Sequence, residues 1–270
     1  MPGPMESTPP TSSVWSDALL ANPHGVADKR LRVRKMFAAI APSYDLNNRL
    51  HSLWMDQWWR RRAVQLAELR PTDQVVDVAC GTGDLALRFA GALGAGAKRV
   101  VGIDFTYEML PMAARKSVGR GICWINGDAL CLPLPDACAD VVSIAFGIRN
   151  VADPAAACRE FRRVLRPGGR LIILEFSLPA NPVLRGMYNF YFRRILPRTA
   201  TWISGDTTGA YKYLPESVNT FIDRSSMVRM MSEAGFSDVR QHPLTFGVCV
   251  CYRGLVGPSE EPANLSLGRV

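Results

Sequence analysis

The amino-acid sequence predicts an α/β fold: a mostly parallel, seven-stranded sheet with a C-terminal antiparallel hairpin and an N-terminal helical cap. Three observations predict it. Residues 75–84, Val-Val-Asp-Val-Ala-Cys-Gly-Thr-Gly-Asp, read as a buried strand, a tight glycine turn and a helix start in immediate succession. Five apolar runs, near 74–79, 99–104, 121–125, 139–145 and 170–176, alternate with helical patterns, as parallel sheets require. Two further runs, at 239–244 and 247–252, lie close enough to close the sheet as a hairpin.

The glycine turn is the first functional signal. Gly81 and Gly83 let a ligand approach the backbone, and the helix N-terminus beyond them offers unpaired N–H groups. Asp104 ends the second strand about twenty residues on, where an acid that binds ribose hydroxyls belongs. An ordinary strand–helix turn would also carry the glycines, but not the acid. A dinucleotide fingerprint needs a third glycine, which is absent here. The spacing Asp77-x-x-x-Gly81-x-Gly83 is instead that of the S-adenosyl-L-methionine site of Rossmann-like class I methyltransferases. Asp128 and Ala129, after the third strand, stand where such proteins set a carboxylate and an N–H against adenine.

The other elements follow in order. Residues 1–26, rich in Pro, Ser and Thr, read as a disordered tail ahead of a 27–256 domain. Helical patterns at 26–40 and 54–69, separated by Ala-Pro-Ser-Tyr-Asp, precede the sheet and read as a 27–70 cap over its mouth. Right-handed crossovers place ligands at the carboxyl ends of the strands, which gathers 80–83, Asp104, Asp128, 146–150 and 175–177 on one edge. Residues 179–201 mix aromatic residues with four arginines and no acid. They read either as a packed helix with a solvated face or as an amphipathic lid, part of a 178–224 substrate segment facing an apolar substrate and an anionic lipid surface. A helix near 225–234 stops at Gly235, and 257–270 is a polar tail.

Composition bounds the class. The 270 residues are 48% hydrophobic, enough for one large α/β domain, and no stretch approaches the ~18 apolar residues of a membrane span. The first residues carry neither a basic n-region nor an apolar h-region, so a cytoplasmic chain is expected, with the inner membrane face open as its place of work. Seven cysteines without ligand spacing read as reduced, largely core residues, and three scattered histidines offer no metal site. The net charge of +8 suits an anionic partner, either nucleic acid or a lipid surface.

Beyond the nucleoside turn, a longer set of motifs resembles the ubiquinone/menaquinone biosynthesis C-methyltransferase family of the UbiE/MenG type, over roughly residues 34–254. The set comprises Met36-Phe37, Tyr44-Asp45, Asn48, 77–84, 128–136, Phe146-Gly-Ile-Arg-Asn150, Leu165-Arg-Pro-Gly-Gly-Arg170, Leu174-Glu-Phe-Ser177, Gly205-Asp206 and Tyr211-x-Tyr213-Leu-Pro-Glu-Ser217. The resemblance implies S-adenosyl-L-methionine contacts at Thr82, Asp104, Asp128 and Ala129. A further contact, commonly a serine, falls on Ala145 here.

It also implies methylation at carbon of a reduced, prenylated quinone ring. A quinol hydroxyl titrates near pH 10, like tyrosine, so the enzyme must stabilise the quinolate and hold carbon, methyl and sulfur in line. Arg149 is the candidate for that charge and Asn150 for orienting the same oxygen. Tyr44, His51, Asp206 and Tyr211 are candidates for base or positioning roles. No Asn/Asp-Pro-Pro-Tyr/Phe segment stands at 146–150, which argues against amide or amino acceptors. A demethylmenaquinol and a methoxy-benzoquinol both remain open as acceptor, as does a homodimer. The rival readings are a methyltransferase for another aromatic or lipid molecule, an RNA methyltransferase, and a non-catalytic cofactor-binding member of a quinone-synthesis complex; no nucleic acid is expected.

Overall fold

The computed structural model describes residues 13–94 and 99–258. Five short strands run parallel: β1 (Val75–Val78), β2 (Val100–Asp104), β3 (Cys123–Asn126), β4 (Ala139–Ala145) and β5 (Leu165–Phe176). The hairpin of β6 (Phe236–Leu244) and β7 (Cys249–Val256) completes the sheet, with β7 antiparallel to both of its neighbours. The order is β3-β2-β1-β4-β5-β7-β6, so the chain reverses its direction of winding between β1 and β4. A crevice opens outside the strand ends at such a reversal.

Both faces of the parallel part are covered, which explains its near-continuous apolar runs. On one face Val76, Val142, Ile144 and Ile173 pack with Phe161 of α7 (Pro154–Val164) and Met227 of α11 (Arg224–Glu233). On the other, Val75, Val141 and Ile172 pack with Phe89 of α5 (Asp84–Leu93) and Trp59 of α4 (Met55–Leu66). The short α6 (Leu110–Lys116) leads into β3.

A second layer sits above the strand ends. It comprises α1 (Asp17–Leu20), α2 (Lys29–Ile40), α3 (Tyr44–His51), α8 (Pro182–Phe190), a π-helical turn at Tyr191–Ile195, α9 (Leu196–Ser204) and α10 (Ala210–Asn219). Its core holds Trp15, Met36, Ile40, Tyr188, Phe192, Leu196 and Tyr213.

Three expectations change. The 1–26 tail is folded from residue 13 onward, because Trp15 is buried and stacks on Tyr213 with ring centroids 4.4 Å apart. Residues 1–12, and the polar tail from 259 on, lie outside the described residues. The 27–70 cap is really two structures: α2 and α3 form a roof, whereas α4 lies flat on the sheet, Ala63 and the C-cap residue Ala67 permitting close approach. Finally, Ala-Pro-Ser-Tyr-Asp does not break the helical run. Pro42 falls in the first turn of a 3-10 segment at Ala41–Ser43, where a missing N–H costs nothing, and α3 follows directly.

Candidate active site

The turn after β1 is built by backbone that favours glycine. Gly81 has φ +54° and Gly83, the N-cap of α5, has φ +84°. A Cβ on Gly83 would overlap the Trp124 ring, so the turn also has no room for a side chain there. Opposite, Asp104 receives the N–H of Gly81 at 2.7 Å and that of Thr106 at 2.7 Å, one on each carboxylate oxygen. Burial nonetheless pushes its pKa up to about 6. Asp77, inside β1, accepts from the Ser143 hydroxyl at 2.7 Å, while its other oxygen has no partner among the described residues. Burial raises it to about 7.

These residues border a cleft of about 100 Å³, lined by Gly81, Asp104, Phe105, Thr106, Met109, Asp128, Ala129, Leu130 and Ala145, and roofed by Arg30, Val33 and Phe37 of α2. Arg30 reaches across, pairing with Asp128 at 2.7 Å and lying 4.4 Å over the Phe105 ring. Thr82 points away. Its hydroxyl donates to Asp45 at 2.5 Å, and Lys116 joins Thr82, Asp45 and Asp84 in one cluster that fastens α3 to the start of α5. A small recess beyond Gly81, beside Asp77, Thr82, Asp84 and Ala145, is closed by Arg60.

A larger cavity of about 460 Å³ adjoins the cleft. It is mostly apolar, lined by Met36, Ile40, Trp59, Phe176, Leu184, Met187, Tyr188 and Phe192 among others. Phe37, Tyr44 and Phe146 border both spaces. On the cavity wall Arg149 is only 4% exposed, and its Nη1 donates to Glu175 at 2.6 Å and to the Phe146 carbonyl at 2.7 Å. Its Nε donates to Ser217 at 3.2 Å, while Nη2 has no partner among the described residues. A second buried pair, Arg60 with Asp56 at 2.5 Å, borders the same cavity.

The chain matches the ubiE/COQ5 methyltransferase family over residues 25–256. It belongs to that family. It is 49% identical over 222 residues to the demethylmenaquinone methyltransferase of Thermus thermophilus, an alignment covering 81% of this chain and 99% of that protein. It is 43% identical to the ubiquinone/menaquinone biosynthesis C-methyltransferase UbiE of a Geobacter species, covering 86% and 99% respectively. Among solved structures, a SAM-dependent methyltransferase from Thermotoga maritima shares the fold, with a TM-score of 0.58 and 21% identity over 83% of this chain and 99% of that one.

The cleft fits the adenosine of the methyl donor implied by this family. Asp104 keeps an acceptor lone pair on each oxygen for ribose hydroxyls, Met109 and Leu130 give a base apolar walls, and Gly81 presents no Cβ. Arg60, paired with Asp56, and Asp84 line the recess beyond.

The structure brings Gly81, Asp104, Asp128, Ala129 and Ala145 together as expected, but separates other expected residues. Asn150 borders the nucleoside cleft and not the large cavity; its Oδ1 accepts from Tyr213 at 2.9 Å. It therefore does not face the same space as the Arg149 guanidinium. Asp206 borders neither space. Its carboxylate accepts from Thr208 and from the Ala210 N–H, closing the turn ahead of α10, which leaves it a loop-forming residue. His51 and Tyr211 do line the cavity, with the His51 ring 3.1 Å from the Tyr191 hydroxyl and its pKa lowered by burial. Sequence reasoning missed the pairing of Glu175 with Arg149 and of Asp56 with Arg60. The signal for the first was present: an acid inside the apolar run Leu-Ile-Ile-Leu-Glu-Phe needs a buried cationic partner.

Proposed function

We propose that this chain is an S-adenosyl-L-methionine-dependent C-methyltransferase acting on a prenylated quinol ring, with demethylmenaquinol as its acceptor. The observation that carries the reading is the pair of spaces that meet at Phe37, Tyr44 and Phe146, one bordered by the glycine turn, Asp104 and Asp128, the other apolar with a buried guanidinium on its wall. The relatives named for demethylmenaquinone methylation support the naphthoquinol.

S-adenosyl-L-methionine supplies an electrophilic sulfonium methyl when bound. The protein's own part is to make the ring carbon electron-rich and to hold it in line. Nη2 of Arg149 offers a fixed positive donor to the quinolate oxygen, while Glu175 and the Phe146 carbonyl hold the guanidinium still. Arginine does not act as a free base. Tyr44 has its phenol pushed up by burial, so it stays neutral and serves as a hydrogen-bonding group at the junction of the two spaces. In sum a ring C–H is replaced by C–CH₃ and one proton is released. The apolar lining excludes water and matches an aromatic ring better than a polynucleotide.

A cavity of about 460 Å³ is near the lower end of pockets for drug-sized ligands, ~300–1,000 Å³, and holds a ring with only the start of a tail. The rest of a prenyl chain must leave through the mouth. Leu53, Met187 and Phe246 line the cavity and are also exposed, Phe246 at 83%. We infer that this rim meets a lipid surface. Among the described residues no helix is long and apolar enough to cross a membrane.

Incubation of the purified protein with labelled S-adenosyl-L-methionine and short-prenyl demethylmenaquinol should add one ring methyl, and the benzoquinol analogue should react more slowly. Arg149→Ala should keep cofactor affinity within about twofold yet lose at least about a hundredfold in turnover, on the scale of a lost oxyanion donor. Normal turnover by that variant would remove Arg149 from the chemistry.

A further inference from the structure

Lys29 opens the roof helix α2 and is buried to 4% exposure without a carboxylate partner. Its ammonium donates instead to the backbone carbonyls of Arg149 at 2.8 Å and Val151 at 2.7 Å, with the His24 ring 3.3 Å away. Burial, then the Arg149 charge, lowers its pKa to about 8. A buried unpaired ammonium is costly, and an aliphatic side chain of that length would pack at this place without the cost. What the cation does there is specific. The 3-10 turn Ile148–Asn150 uses the carbonyls of Gly147 and Ile148 internally, which leaves those of Arg149 and Val151 to an outside donor.

We propose that Lys29 is a positioning residue that locks the roof to the turn carrying Arg149, so that closure of α2 and placement of the guanidinium occur together. The proposal rests on the quinol reading for the role of Arg149, and three features of the fold carry it. Met36, Phe37 and Ile40 of α2 line the quinol cavity, while Arg30, Val33 and Phe37 line the nucleoside cleft, so one helix covers both. Lys29 joins this helix to the backbone of Arg149 itself. The neighbouring side chains continue the tie: His24 meets the Ser217 carbonyl at 2.9 Å, and the Ser217 hydroxyl accepts from Nε of Arg149. The Arg149 side chain is thereby held from the sheet by Glu175 and its main chain from the roof by Lys29.

The test is Lys29→Met in the full chain, with three readouts. Turnover should fall at least about tenfold, by several-fold more than the S-adenosyl-L-methionine Kd weakens, and amide exchange should quicken at 147–151 and not in β4 or β5. Should the methionine variant fail to fold, Lys29→Gln decides: its amide is neutral and one bond shorter, so it falls short of the two carbonyls, and turnover should drop at least about threefold, by more than Kd weakens. Wild-type turnover by either variant overturns the proposal. Equal losses of Kd and turnover, with exchange raised throughout the sheet, also overturn it and leave Lys29 as a general brace. If wild-type protein does not methylate the quinol, the functional reading fails, and the local exchange at 147–151 still decides for or against the tie.

Discussion

Asp104 is a carboxylate that the folded chain holds partly protonated near neutrality. Its folded pKa of about 6 lies above the unfolded value near 4, so the free protein binds the extra proton and loses stability as pH rises between about 4 and 6. Ribose hydroxyls favour the ionised form, so cofactor binding should release this proton. The S-adenosyl-L-methionine Kd should therefore weaken by up to about tenfold per unit below pH 6 and level off above it. Asp104→Asn should abolish that slope and weaken binding by about 1.5–3 kcal/mol, the usual contribution of hydrogen bonds to a charged group. Calorimetry at pH 5, 6 and 7.5 reads both effects, and a pH-independent wild-type Kd would refute the ribose assignment. Asp104 was legible in the sequence because a local rule places it, a strand-ending acid about twenty residues past a glycine turn. Arg149 was legible as a candidate, but its tie to Glu175 depends on β4 and β5 lying side by side. Asp206 was a candidate from a resembling motif alone, and such a motif says nothing of whether the oxygens of an acid are taken by the local backbone, as they are here.

Elements were legible where their periodicity is long and their caps are plain. All seven strands and α11 with its Gly235 stop are found where expected, although β5 begins at Leu165, five residues ahead of the expected 170, and takes in the Pro-Gly-Gly segment as an irregularity; the helical layer above the sheet was read less well. Segments 13–26 and 188–213 share one core although they lie far apart in the chain, and no local pattern announces such a pairing. The π-helical turn at Tyr191–Ile195 is similar, since it shifts the buried face between α8 and α9 without changing composition. One inter-strand contact gives a sharp test. Gly102 of β2 is paired with Trp124 of β3, and a Cβ there would run into the indole. Gly102→Ala should destabilise the protein by about 1–3 kcal/mol through overpacking, lowering Tm by roughly 2–4 °C per kcal/mol for a domain of this size. The same indole abuts Gly83, so cofactor affinity should fall in parallel. An unchanged melting curve would show that the ring moves freely and that this packing does not set the turn.

For the molecule as a whole, positive charge and apolar exposure share one segment of the chain. Val183, Met187, Phe190 and Trp202 are exposed on the α8–α9 segment, which carries Arg185, Arg193, Arg194 and Arg198, and Leu53 and Phe246 stand at the cavity mouth. Leu53, Trp54, Thr245 and Phe246 all hold positive φ, so two short loops accept backbone strain while presenting apolar side chains outward. Binding to vesicles with anionic lipid should exceed binding to neutral ones and fall with salt. Phe246→Ser with Met187→Ser should cut turnover of a long-prenyl acceptor in vesicles several-fold and leave a short-prenyl acceptor in detergent unaffected. Equal loss on both acceptors would assign these side chains to ring binding instead. The overall charge of +8 and the arginines of 179–201 were visible in the sequence, but only the fold shows which apolar residues of that stretch stay exposed. The shared border of Phe37, Tyr44 and Phe146 has a chemical corollary. An alkyl group leaving the nucleoside side must cross between three aromatic rings, so a flat acceptor can offer a single edge there. Product analysis should yield one regioisomer, with negligible O-methylation and little uncoupled hydrolysis of the donor.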